Sequence, residues 1–394
     1  MLPCIPTVAV VALHIAYPPA PPVMADRVRD AITTCVPKLV AMQESLGGAA
    51  DAPKAEWPYE GVYRVGGKIP YGYRVGGTSI VAQVLLESDG YAKDAERKTA
   101  VARACDFVCA AIDEPLMSPD PKVYKGGYDV RGWGHCYGLR FLLALERAKA
   151  VPEGRDERVR RAIDWYLHAL QSTEIPSAGG WNYARRPGLE TPCPSSPFMT
   201  APGVMALVEA KASGRTIDEG VLARAITALE NARTESGYVD YSAAKPARDR
   251  PDQIPGAIGR MVATESALFL VGRSNSDRLQ FALDSFLRHW QALEARRKQQ
   301  GTHEPPYMVA PYYFFYGFHH AALAIELLPP TLRENYRAKL VDLFFQVRDA
   351  DGTWNDRVFP RSANFGTAMS ISALAMPWGP RPTGLASTAG KHDA

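Results

Sequence analysis

The chain repeats itself, and that constrains its fold more than any other feature. Segment after segment of the 394 residues follows one grammar: an amphipathic helix, a glycine-plus-aromatic turn, a polar or Pro-rich stretch, then an apolar helix rich in small residues. The clearest copy runs from Arg158 to Lys211, with Val159, Ile163, Tyr166, Leu167 and Leu170 at helical spacing, then Gly179-Gly180-Trp181, then the apolar stretch Met199 to Ala210. Another spans Tyr336 to Phe345, Gly352-Thr353-Trp354 and Phe365 to Ala375. Looser copies begin near Val28, Ala100, Leu222 and Leu279. The units start roughly 55–70 residues apart, too long a period for TPR or HEAT hairpins.

No such unit buries its own apolar face, so neighbours must stack. With about six units, ring closure removes the exposed ends that an open solenoid has to cap. The sequence therefore predicts an all-α fold, an α/α toroid: a six-hairpin α6/α6 barrel of inner and outer helices over residues 27–378. The second helix of each unit carries more Ala, Gly and Ser and suits the crowded inner ring. The first carries more Arg, Lys and Glu and suits the outer one. The inner helices then point their N-termini at one mouth of a central cavity, the default ligand site. Trp181 and Trp354 are read as plugs between hairpins, because a chain reversing at glycine leaves a gap that a large ring fills.

A net charge of +3 on this length, dispersed along the chain, gives no footprint for nucleic acid or an anionic membrane. The six cysteines lack paired spacing, so neither a zinc knuckle nor a disulfide framework is indicated. Cys105 and Cys109 share a helical face and read as core thiols. No cofactor and no metal site is indicated. Residues 1–26 read as a leader or signal peptide: Thr7 to Ala16 is an apolar run too short to span a bilayer, and Val23-Met24-Ala25 resembles a cleavage site. Export to a periplasmic or extracellular location is thus favoured over the cytoplasm, with no integral membrane segment. Residues 379–394 read as a flexible tail.

The helix end Gln346 followed by Gly352-Thr353-Trp354, with Gln171 and Gly180-Trp181 as a second copy, resembles the repeat of the terpenoid cyclase and protein prenyltransferase superfamily. The resemblance spans about residues 28–376 and implies the same toroid and a squalene-cyclase-like interior holding an isoprenoid. The family's catalytic motifs are missing. There is no D-x-D-D acid motif, and where the zinc-binding D-x-C should fall the chain reads Asp240-Tyr241-Ser242.

Candidate chemistry is therefore sought residue by residue. Asp240 and Asp129 lie in loops that should reach the mouth and are the acid candidates. His135, in Trp133-Gly134-His135-Cys136-Tyr137, is a base candidate, set against a histidine simply bonded to a neighbouring loop. Tyr312-Tyr313-Phe314-Phe315-Tyr316-Gly317-Phe318-His319-His320 is the most aromatic stretch. Trp133, Tyr137, Tyr241, Tyr312, Tyr313, Phe315, Tyr316 and His319 are taken as ligand-contacting, since rings in a cavity suit carbocations or sugar faces. Other rings in these segments are assigned to the core. The functional expectation is a hydrophobic, isoprenoid-type ligand. Set against it are a noncatalytic ring that binds a ligand or protein partner, and a glycan-acting (α/α)6 enzyme, which needs two facing carboxylates.

Overall fold

A computed structural model describes residues 22–378 except 50, 121–126, 129, 177, 186–192 and 243–246. Among these residues twelve α-helices alternate between an outer and an inner ring. The outer helices are α1 (Pro22–Ala41), α3 (Ala95–Ala110), α5 (Asp156–Ser172), α7 (Glu219–Ala232), α9 (Ser276–Glu294) and α11 (Pro330–Gln346). The inner helices are α2 (Tyr71–Glu87), α4 (Arg131–Arg147), α6 (Pro197–Ala212), α8 (Ile254–Leu270), α10 (Tyr313–Leu327) and α12 (Ala363–Ala375). Each inner helix packs on the next, and α12 packs back on α2, so the ring closes. The all-α toroid expected from the repeat is the architecture found.

Local sequence explains the two rings. In α5, Val159, Ile163, Tyr166, Leu167 and Leu170 are buried at helical spacing while Arg158, Arg160 and Arg161 stay in solvent. Side-chain caps start several outer helices: Asp218 accepts from the Gly220 and Val221 amides, and Asn275 from Arg278. Inner helices are buried nearly all round and pack at close range through small residues. Gly317 of α10 lies so near α8 that an added Cβ would sit 3.1 Å from the Gly259 Cα. The turns use glycine as expected, Gly352 adopting φ +83°.

Each outer helix runs toward one mouth and hands over to a long loop that leads into the next inner helix. Two short ladders brace these loops: β1 (Glu44–Ser45) with β2 (Lys54–Glu56), and β3 (Gly127–Tyr128) with β4 (Ala184–Arg185). Among the described residues no helix is long and apolar enough to cross a membrane.

Candidate functional site: an aromatic slot at the mouth of the ring

One hydrogen-bond pattern, used three times, aims the mouth loops at the ring axis. The indole N–H of Trp57, Trp181 and Trp354 donates to a carbonyl at the end of the preceding outer helix: Leu39 at 2.7 Å, Leu170 at 2.9 Å and Phe344 at 2.8 Å. The backbone N–H of each then donates to a threonine hydroxyl of the following inner helix: Thr78 at 2.9 Å, Thr200 at 3.0 Å and Thr367 at 3.1 Å. With the tryptophan pinned at both ends, the residue two positions on has one place to go. In the first two units it is Tyr59 and Tyr183, and both line the central pocket. In the last unit it is Asp356.

The pocket lies among Tyr59, Tyr73, Val130, Trp133, Tyr183, Phe198, Met199, Tyr312 and Phe365. It encloses about 340 Å³ of non-atomic space, counting its open side. It is a slot rather than the broad cavity expected, because the rings interdigitate. Trp133 stacks on Phe198 at 5.8 Å with planes 9° apart, and Tyr59 meets Phe365 at 4.6 Å. Yet the lining is not simply apolar. The Tyr59 hydroxyl and the Trp133 indole N–H are buried with no hydrogen-bond partner, and a buried donor without an acceptor signals a missing partner.

One edge of the slot is polar. His303, on the loop before α10, donates from Nδ1 to the Met308 carbonyl at 2.9 Å, which Met308 presents from a left-handed backbone with φ +53°. That leaves the single Nε2 lone pair as an acceptor with three phenol oxygens in reach: Tyr312 at 2.9 Å, Tyr183 at 3.2 Å and Tyr241 at 3.2 Å. Tyr183 and Tyr312 also share a bond of 2.8 Å. Burial depresses the His303 pKa and raises those of Tyr183 and Tyr312, so all three are held neutral.

Within charge reach of Tyr59, though not itself among the lining residues, is a buried acid. Of the carboxylates buried among the described residues, Glu56 is held by Arg74, Glu174 by Arg224, and Glu265 by Ser274 and Arg233. Asp356 is fully buried, and neither of its oxygens has a partner. Burial pushes its pKa up to about 7, against the opposing pull of the neighbouring Arg357. Its charge acts in turn on the buried Tyr59 phenol.

The candidates named from sequence are scattered by the fold. Trp133 and Tyr312 line the slot. Tyr241 bonds His303 at its rim, and Tyr313 packs on Phe198 at 5.1 Å. Tyr316 lies beneath, its hydroxyl donating to the Phe198 carbonyl at 3.1 Å, and Tyr137 is buried against Trp133. Phe315 is turned into the hydrophobic core with Phe314 and Phe318. His319 sits deeper along α10, beside His320, its imidazole kept neutral first by burial and then by His320 and Arg140. His135 is fully buried against Trp165 and Tyr166 of the outer helix, with Nε2 on the Met117 carbonyl at 2.7 Å. Asp240 is half-buried and accepts the Tyr241 amide at 2.7 Å and the Arg248 amide at 3.3 Å. Asp129 lies outside the described residues. Sequence reasoning passed over Tyr59, Tyr183, His303 and Asp356. Aligning the units on their turn aromatics would have flagged three of them. Among the described residues no group of three or more His, Cys, Asp or Glu could hold a metal ion.

Fold and slot together define an (α/α)6 toroid with an aromatic pocket at the inner-helix N-termini. Solved structures that resemble it include several glycosidases. Hormoconis resinae glucoamylase superposes with a TM-score of 0.55 at 11% identity, over 92% of this chain and 75% of that one. The unsaturated glucuronyl hydrolase of Bacillus sp. GL1 gives 0.53 at 12%, over 90% and 96%. An inactive variant of the GH76 α-1,6-mannanase from Salegentibacter sp. HEL1_6, in complex with α-1,6-mannotriose, gives 0.53 at 10%, over 88% and 99%. At these identities the likeness is one of fold. No family model and no curated protein matches the chain. The resemblance to terpenoid cyclases and prenyltransferases is thereby overturned. It rested on a helix end plus a Gly-x-Trp turn, which any stacked α/α hairpin with this geometry can carry. Gln346, its key residue, is exposed.

Proposed function

We propose that this protein acts on a carbohydrate, bound in the aromatic slot, with Asp356 as the proton donor. The observation that carries the reading is the buried, unpartnered Asp356 carboxyl, on the position that in two sister units lines the pocket. Sugars pair apolar C–H faces with hydroxyl edges, which suits rings interleaved with unsatisfied polar atoms. A polyprenyl chain would leave the Tyr59 hydroxyl and the Trp133 N–H still unpaired. The likeness in fold to glycosidases supports the same class.

A glycosidic bond breaks when one carboxylic acid protonates the leaving oxygen and a second carboxylate assists from the other side. A carboxyl whose pKa is pushed up to about 7 suits the first role. The mannanase was inactivated by Asp-to-Asn changes at consecutive positions, whereas this chain contains no two adjacent aspartates. Its second carboxylate must come from another loop. Asp129, next to the pocket-lining Val130, is the first choice, and Asp240 the second. Export from the cell, as read from the leader, fits a protein that meets glycans outside.

The test is a screen of oligosaccharides with the full-length protein, scoring released sugar and quenching of Trp133 fluorescence. Release that disappears in Asp356→Asn and persists in His135→Ala supports the reading. Neither release nor binding across neutral and acidic glycans refutes it.

A further inference from the structure

Next to Asp356, Arg357 is buried to 1% exposure, and its Nε and both terminal nitrogens lack any acceptor. A guanidinium cannot shed its proton in a protein, so burial cannot neutralise it. The other deeply buried arginines are provided for. Arg260 donates to the Val239 and Gly256 carbonyls, Arg333 to Leu328, and Arg337 to the Glu326 carboxylate. Arg64, which shares the Phe359 ring with Arg357, is met by Glu60 and the Tyr63 carbonyl. Asp356 does not fill the gap, since its own two oxygens are also without partners. The Asn364 Oδ1 and the Tyr59 hydroxyl are further open groups on the neighbouring elements. The charge of Arg357 reaches the pocket-lining Tyr59.

A buried cation with an empty donor fork calls for an anion, and a planar guanidinium fits a planar carboxylate with two parallel hydrogen bonds. We propose that the ligand is an acidic glycan and that Arg357 takes the carboxylate of one of its uronic acid units. This rests on the carbohydrate reading above and narrows it.

The experiment measures binding of methyl glycosides of glucuronic, galacturonic and mannuronic acid to the full chain by calorimetry. Each is compared with its own methyl ester, which removes the charge and keeps the sugar, and acetate and sulfate serve as sugar-free anions. At least one acid should bind about tenfold more tightly than its ester. Arg357→Gln should erase that ratio and leave the ester's affinity in place, with Arg357→Lys intermediate. Should Arg357→Gln fail to fold, the acid-to-ester ratio of the wild-type protein decides alone. Ester binding as tight as acid overturns the inference and leaves the carbohydrate reading standing. So does acetate or sulfate binding as tight as the uronides. Binding of neither acids nor esters, nor of any glycan in the wider screen, removes the carbohydrate reading and this inference with it.

Discussion

Asp356→Asn removes a titrating group while changing almost no volume, and its effect on stability has a definite sign. The folded-state pKa of Asp356 is about 7, against an ordinary 3.8. The folded protein thus holds a proton that the unfolded chain has lost. Stability is fully present below about pH 4, falls as the pH rises toward 7, and is level above it. The difference between those pKa values corresponds to about 4 kcal/mol at most, and relaxation around the buried group brings the working figure to about 2 kcal/mol. Asparagine cannot ionise, so the variant should gain that amount on the wild type between pH 4.5 and pH 8. Any fixed cost of its unpaired amide cancels in the comparison. The imidazoles of His303 and His320, both depressed by burial, shift stability the other way over part of this range but are common to both proteins. Urea unfolding of both proteins at several pH values reads the difference directly. If the gap between them is the same at pH 4.5 and pH 8, Asp356 is not the strained acid described here.

Three further perturbations probe the frame around it. In Gly76→Ala the new Cβ would lie 2.2 Å from the Trp133 Cδ1, so Trp133 must tilt. Calorimetry should show a loss of about 1–3 kcal/mol, with glycan binding lost in parallel. Trp354→Phe keeps a ring but deletes the bond to the Phe344 carbonyl, and urea unfolding should show a loss of about 1–3 kcal/mol from that unpaired acceptor and the smaller ring. His303→Ala strips three tyrosines of a shared acceptor and should weaken glycan binding by about tenfold. In the wild type the stability His303 contributes is complete above its ordinary pKa of 6.5 and is lost as the pH falls below it, a slope that the alanine variant should lack in pH-resolved unfolding.

The ring was legible because its cause is local and repeated. Apolar spacing in α5 and the Gly352–Trp354 turn are written in the residues that form them, as are the caps at Asp218 and Asn275. The starts of the inner helices were not. The apolar stretch from Met199 belongs to a helix, α6, that starts earlier at Pro197, and α2 and α8 start at Tyr71 and Ile254. Their first turns, such as Ile254-Pro255-Gly256, are poor helix formers held in place by packing, as when Gly256 lies under the Tyr307 carbonyl. The site was less legible still. Aromatic content singled out Trp133 and Tyr312, which line the slot, but composition cannot say which side of α10 faces the axis, and Phe315 lies in the core. His135 and His319 drew notice as histidines beside aromatics. His303 sits in an unremarkable loop and matters only because two other loops and the end of its own bring phenols to it.

The deeper reason Asp356 escaped notice is that position mattered more than motif. No spacing of acids marks it, since D-x-D-D and its relatives are absent. What marks it is a register set by two hydrogen bonds on Trp354, the same pair that Trp57 and Trp181 make. The turn that builds each hairpin therefore also sets the place of the residue two positions on. Structure needs the aromatic and the threonine there and leaves the residue two places on unconstrained. Tyrosine at that place in two units builds the walls of the slot, and aspartate in the last supplies an ionisable group. In the fourth unit the same count from Tyr238 reaches Asp240, whose oxygens are occupied by the Tyr241 and Arg248 amides. A carboxylate so engaged is fixed in place by backbone amides, while Asp356 is buried with no such donor from another residue. The two acids thus occupy equivalent places in the repeat in different surroundings, one held by backbone amides at a half-buried site and the other fully buried with its pKa pushed up by that burial.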